Sequence, residues 1–140
     1  MRIKLTLSAK QIVPFELPFN YQVLLQGLIY RIIALVDREY AGRLHNKGYW
    51  QQQDGKHYKM FVFSDLMLGK RHVRNNRLLV YNKEIEWYIA SPMQDFLQNI
   101  VNGFFKESKL NIGKTDFFIK SVETLPEPEY QTTFYFSYKF

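Results

Sequence analysis

Tyr30, His45 and Lys59 are the side chains whose types could share one reaction. A histidine in a basic loop takes or gives a proton near neutral pH. A tyrosine hydroxyl can serve as its partner in proton transfer, and a lysine ammonium stabilises negative charge that grows in a transition state. Such a set suits a substrate that brings its own nucleophile. RNA is one: its 2′-hydroxyl attacks the adjacent phosphorus, the bond to the 5′-oxygen breaks, and a 2′,3′-cyclic phosphate and a 5′-hydroxyl remain. That chemistry needs no metal. Each residue also has a plainer role open to it: Tyr30 as a packed ring on a leucine-striped helix, His45 as a surface residue capping a turn, and Lys59 on the wet face of a strand.

Composition narrows the classes. The 140 residues fit one domain of ordinary size, and 46% of them are apolar, with 12 Phe and 10 Tyr to fill a core. The 19 Lys and Arg exceed the 13 Asp and Glu, for a net charge of +6. That excess points toward a polyanion without choosing among RNA, DNA and anionic lipid. The absence of Cys excludes disulfides, thiolate zinc sites, iron–sulfur clusters and a cysteine nucleophile. Three His with no H-x-x-x-H pair argue against a dedicated catalytic metal centre. No apolar run approaches the roughly 18 residues of a membrane span, and MRIKLTLSAK lacks a signal-peptide core. The expectation is a basic, soluble, cytoplasmic domain with no metal, no cofactor and no membrane partner.

The elements that must position the three residues follow from periodicity. Ile3, Leu5 and Leu7 alternate with Arg2, Lys4, Thr6 and Ser8, a strand with one wet face. Beyond Pro14 and Pro18, Asn20 is placed to cap a helix over 21–36. Leu24, Leu25, Leu28, Ile32 and Leu35, widened by Ile29, Ile33 and Val36, give it a broad buried face. Gly27 suggests a close approach of backbones there. Residues 37–57 read as a long polar connection with one helical turn around Glu39–Leu44, and such connections often carry function. Tyr58–Phe63 are apolar on both faces, as in a central strand.

The segment 67–77, MLGKRHVRNNR, is a basic turn in which five of eleven side chains are Lys, Arg or His. Leu78–Tyr81 and Glu84–Ile89 flank a tight turn at Asn82-Lys83. Ser91-Pro92-Met93-Gln94 starts a helix over 92–107, with Ser91 as cap and Pro92 in the first helical position. Phe96, Leu97, Ile100, Val101, Phe104 and Phe105 are its buried face. Lys109–Ile112 and Phe117–Val122 are strand material around Gly113. With 78–89 and 109–122 each counted as one interrupted strand, the pattern is an α+β, ferredoxin-like βαββαβ domain over 1–125, its antiparallel sheet carrying two helices on one face. The opposite face is left to solvent, a ligand or a partner.

The stretches LPFNYQVLLQGLIYRII, LHNKGY and YKMFVFSDL closely resemble the endoribonucleases that cut CRISPR precursor transcripts, members of the repeat-associated RNA-binding superfamily. The matching pieces run in order over about residues 1–125. The resemblance implies ferredoxin-like domains in tandem, cleavage within the repeat without metal, and delivery of the guide RNA to a CRISPR effector complex. It matches Tyr30 to the family's helix tyrosine, His45 to its loop histidine and Lys59 to the lysine opening its aromatic strand, with Lys47 the rival for the lysine role. The family's glycine-rich loop, G-x-G-x-x-x-x-x-G-[FL]-G, does not occur in this sequence. Residues 126–140 then read as the opening strand of a second ferredoxin-like domain that is cut short.

With repeat RNA as partner, Lys70, Arg71, Arg74 and Arg77 become candidates for backbone contacts. Arg31, Arg38 and Arg43 would hold the strand beside the site, and Tyr49 and Trp50 could stack on an unpaired base. Two other readings stay open: an RNA-binding module without activity, and an assembly domain that forms a homodimer through exposed aromatic strands.

Overall fold

The computed structural model describes residues 2–46, 49–51, 56–58 and 61–126, with side chains for 2–43 and 61–126. Strand β1 (Arg2–Ala9) alternates as expected, burying Ile3, Leu5, Leu7 and Ala9. It lies at the centre of a five-stranded antiparallel sheet in the order β5-β8-β1-β10-β9. The partners are β5 (Val62–Phe63), β8 (Glu84–Ala90), β9 (Lys109–Ile112) and β10 (Thr115–Leu125). Helices α1 (Tyr21–Val36) and α3 (Gln94–Lys106) pack against each other and share one core with the buried face of β1. Leu25, Leu28, Ile29, Ile32, Ile33, Phe96, Ile100 and Phe104 come from the helices, and Ile85, Trp87, Ile89 and Phe117 from the flanking strands. This is an α+β fold with helices on one face of an antiparallel sheet.

Helix α1 has the bounds its periodicity predicts, but Leu24 and Leu35 are exposed. Asn20 stands at its N-cap position without a side-chain capping bond. Nothing lies within 4 Å of a Cβ built on Gly27, so it marks no close approach. That role belongs to Gly103 of α3, whose Cβ would sit 2.4 Å from Ile32 Cγ2 and 2.5 Å from the Ile32 carbonyl oxygen. Helix α3 begins two residues later than predicted. Ser91 Oγ accepts from the Met93 backbone N–H at 2.9 Å, a local turn that leaves Met93 as the N-cap.

A second, three-stranded sheet was not predicted. It holds β2 (Phe15–Pro18), β7 (Arg77–Val80) and β6 (Arg71–Arg74) in the order β2-β7-β6. The tight turn of this region is Asn75-Asn76, both at positive φ (51° and 60°), as a two-residue type I′ hairpin loop requires. Asn82-Lys83 instead carries the chain from the small sheet to β8, so 78–89 is not one strand. Likewise 109–122 is a hairpin, turning at Gly113 with φ 64°. Among the described residues, the stretch expected to be a central strand supplies the end of the strand Lys56–Tyr58 and β5, which lies at the sheet edge with Val62 exposed.

The face of the large sheet away from the helices is ion-paired. Lys4 Nζ lies 2.7 Å from Glu86 and 3.8 Å from Glu123, and its hydrogen bond to Glu86 raises its pKa. Lys120, the extra residue where the β1–β10 register shifts, reaches Glu84. Among the described residues, no helix is long and apolar enough to cross a membrane.

Tyr21 ties the start of α1 to the segment after β5: its hydroxyl accepts from the buried Leu66 N–H at 3.1 Å. Burial pushes the phenol's pKa up, with the Leu66 hydrogen bond acting against it. Tyr21→Phe strands that N–H and is expected to cost about 1–3 kcal/mol, read as a lower urea midpoint at unchanged m-value.

Candidate active site

Tyr30 lies in the third turn of α1 and is partly buried. Its ring meets Phe61 edge-on at 5.9 Å, and Phe61 stacks on Phe96 at 4.8 Å. The aromatic row fixes the tyrosine over the β5 edge of the sheet, where Phe61 leads into Val62. Lys59 stands two residues before Phe61; it and Lys47 lie outside the described residues.

The polar connection predicted after α1 contains a full helix, α2 (Arg38–Asn46), and a short hairpin of β3 (Tyr49–Gln51) and β4 (Lys56–Tyr58). Asp37 starts α2, its Oδ1 accepting the Tyr40 N–H at 2.9 Å as an N-cap does. Among the described residues of this helix, Tyr40 and Ala41 are buried. His45 is therefore in the last turn of a helix and not in a loop, one turn beyond Ala41. Its side chain, like those of Tyr49 and Trp50, lies outside the described residues. The expected loop was a misreading: REYAGRLHN has too few apolar residues to show a helical stripe, and the capping Asp37 was the signal available.

The cations divide into separate groups. Arg38 and Arg43 are exposed on α2, with the Arg43 guanidinium 5.8 Å from the Tyr40 ring centroid. Arg31 does not stand beside Tyr30. It lines a cavity of about 500 Å³ with Lys10, Lys109 and Asp116, on the side of α1 that faces the opposite sheet edge; residues 30 and 31 differ by about 100° around a helix. Lys70 stands 5.4 Å from the Tyr81 ring centroid. Arg71 and Arg74 project from opposite faces of β6, and Arg77 is paired with Glu16 at 3.8 Å. Among the described residues, no group of three or more His, Asp or Glu is arranged to hold a metal ion.

Residues 16–123 match the family model described as CRISPR-associated protein Cas6, N-terminal. CRISPR-associated endoribonuclease Cas6 1 of Methanocaldococcus jannaschii is 33% identical over 129 residues, covering 92% of this chain and 47% of that protein. CRISPR-associated endoribonuclease Cas6 of Pyrococcus furiosus is 27% identical over 116 residues, 82% of this chain and 41% of its own length. A solved CRISPR-associated protein Cas6 superposes with a TM-score of 0.66 at 33% identity, over 93% of this chain and 50% of that one. The product of a Cas6-related gene from P. furiosus shares the fold, with a TM-score of 0.76 at 24% identity over 94% of this chain and 50% of its own. The chain spans about half the length of the relatives it matches.

Proposed function

Because the chain belongs to the Cas6 family of CRISPR-associated proteins, we propose that it cuts precursor CRISPR RNA within the repeat. The observation that carries this reading is the family match over 16–123, which contains Tyr30, His45 and Lys59 together. In the reaction, the 2′-hydroxyl gives up its proton as the O2′–P bond forms. The P–O5′ bond then breaks and the departing 5′-oxygen takes a proton. His45 and Tyr30 move these two protons, and Lys59 (or Lys47) balances the charge on the phosphoryl oxygens. No step requires a metal or a cofactor. The fold in this reading is the split βαβ plan, with β1, α1, β5, β8, α3 and β10 as its six elements; residues 1–125 make up this domain, and the second domain expected to open at 126–140 lies, from residue 127 on, outside the described residues. The cytoplasm is the place of action, repeat RNA the substrate, and an effector complex the recipient of the product.

A labelled repeat RNA incubated with the chain in EDTA tests the proposal. Cleavage should persist, and His45→Ala should slow it about 100- to 10,000-fold with binding retained. A second reading is a repeat-binding module that does not cut. Binding without cleavage by the unaltered chain would select that reading. Light scattering would show whether two copies assemble.

A further inference from the structure

The small sheet, the start of α1 and the segment 65–69 enclose a cleft of about 740 Å³, within the range of small-ligand sites. Its walls carry exposed apolar side chains. Phe19, Met67 and Val73 stand 57%, 45% and 62% exposed and all line it. Arg71 lies on the same face of β6 as Val73, and its Nη1 donates to the Gly69 carbonyl at 3.2 Å, which fixes the guanidinium at the rim. Across from it Gln22 Nε2 donates to Asp65 Oδ1 at 3.1 Å, leaving the second carboxylate oxygen open to a ligand's donor.

We propose that this cleft holds one unpaired nucleotide of the RNA, a subsite that rests on the RNA-cleaving reading above. The charge selects the occupant. Arg71 lines the cleft within an acid-free run, 70–77, with Arg74 on the other face of the hairpin and Arg77 paired to Glu16, so the approach on this side favours a phosphodiester strand. Apolar and aromatic walls beside an arginine suit a base that has left its stack, with the phosphate on the guanidinium. The cleft is too small for a duplex. Asp65, held by Gln22, accepts from an exocyclic amino group, so adenine, cytosine or guanine is preferred over uracil, which offers only its N3–H. The subsite is spaced from the cut: Tyr21 lines the cleft, and nine residues of α1 separate it from Tyr30. That is about 14 Å, or about four nucleotides at the stacked rise.

The test is fluorescence anisotropy of the 140-residue chain with labelled repeat RNA, scanned with single abasic nucleotides. One abasic position about four nucleotides from the scissile phosphate should weaken binding about 10-fold or more. Phe19→Ala should weaken binding by a similar factor and abolish the penalty of that abasic position. Asp65→Asn should remove the preference for an amino-bearing base there. Arg74→Gln, on the other face of the hairpin, should lower affinity for all of these RNAs alike. Thermal melts of the variants confirm folding, since Phe19 and Asp65 are surface residues. Photo-crosslinking from 6-thioguanosine, which keeps an exocyclic amino group, at the same position should label a peptide containing Phe19 or Met67. If the unaltered chain binds and cuts while Phe19→Ala matches it at every position, the subsite is overturned and the nuclease reading stands. If the unaltered chain binds no repeat RNA, both are overturned.

Discussion

Repeat RNA carrying hydrogen in place of the 2′-hydroxyl at the scissile nucleotide is expected to bind the chain as the natural RNA does and to remain uncut. The nucleophile in the proposed reaction belongs to the substrate, so its removal leaves Tyr30, His45 and Lys59 with no bond to form. The effect should exceed that of any single protein variant. An enzyme lacking one proton-transfer group retains charge stabilisation and positioning, whereas the deoxy substrate lacks the reacting atom. Gel analysis with the deoxy substitution moved along the repeat should show protection at a single position. Cleavage of the deoxy substrate at the same site would mean that water is the nucleophile, and the assignment of the three residues would fail. Products ending in a 3′-phosphate with no cyclic intermediate would count against it in the same way.

Gly103→Val is expected to be among the most damaging single changes to the fold, and Gly103→Ala to show the same defect in milder form. Its methyl would lie 2.5 Å from the Ile32 carbonyl oxygen, a backbone atom held in the ladder of α1. The helices must separate to admit it, and Ile32 is buried at the middle of the core. Overpacking of this kind costs about 1–3 kcal/mol, offset by about 1 kcal/mol of helix propensity. Gly103→Val adds two methyl groups to the same contact without that offset and should unfold the chain in mild denaturant. Gly27→Ala provides a control of opposite sign. It lies in a helix interior, exposed, with nothing within 4 Å of the new Cβ, so stability should rise by about 0.5–1 kcal/mol. Urea melts of the three variants decide the matter. A Gly103→Val protein as stable as the parent would show that the helices do not meet there.

The elements that could be read from the sequence were those with a buried and an exposed side. In β1, α1 and the body of α3 the apolar positions repeat with the period of the element, because each buries one face against the shared core. The features that were missed lack that contrast. All four residues of β6 are exposed, so its strand character came from pairing to β7 and left no alternation. β5 looked buried on both faces because Phe63 faces the core while Val62 is a solitary exposed residue at an edge. The asparagine pair at 75–76 is the sign of the hairpin in the sequence, set within a run of basic residues. At the candidate site, residue types and their order along the chain were legible. Arg31 shows what was not. Its neighbour in sequence, Tyr30, faces the β5 edge, and only the packing of α1 between α3 and β9 shows that the arginine faces the other way.

The ion-paired side of the large sheet has an effect on how the molecule meets a polyanion. Arg2, Lys4 and Lys120 share that surface with Glu84, Glu86 and Glu123, so its formal charges cancel. The surplus of +6 must reside elsewhere, and the acid-free run 70–77 is one place where cations gather. A body charged on some sides and neutral on another experiences a torque in the field of a nucleic acid. It arrives already turned, and its capture rate should fall with ionic strength more steeply than that of an evenly charged protein of the same total.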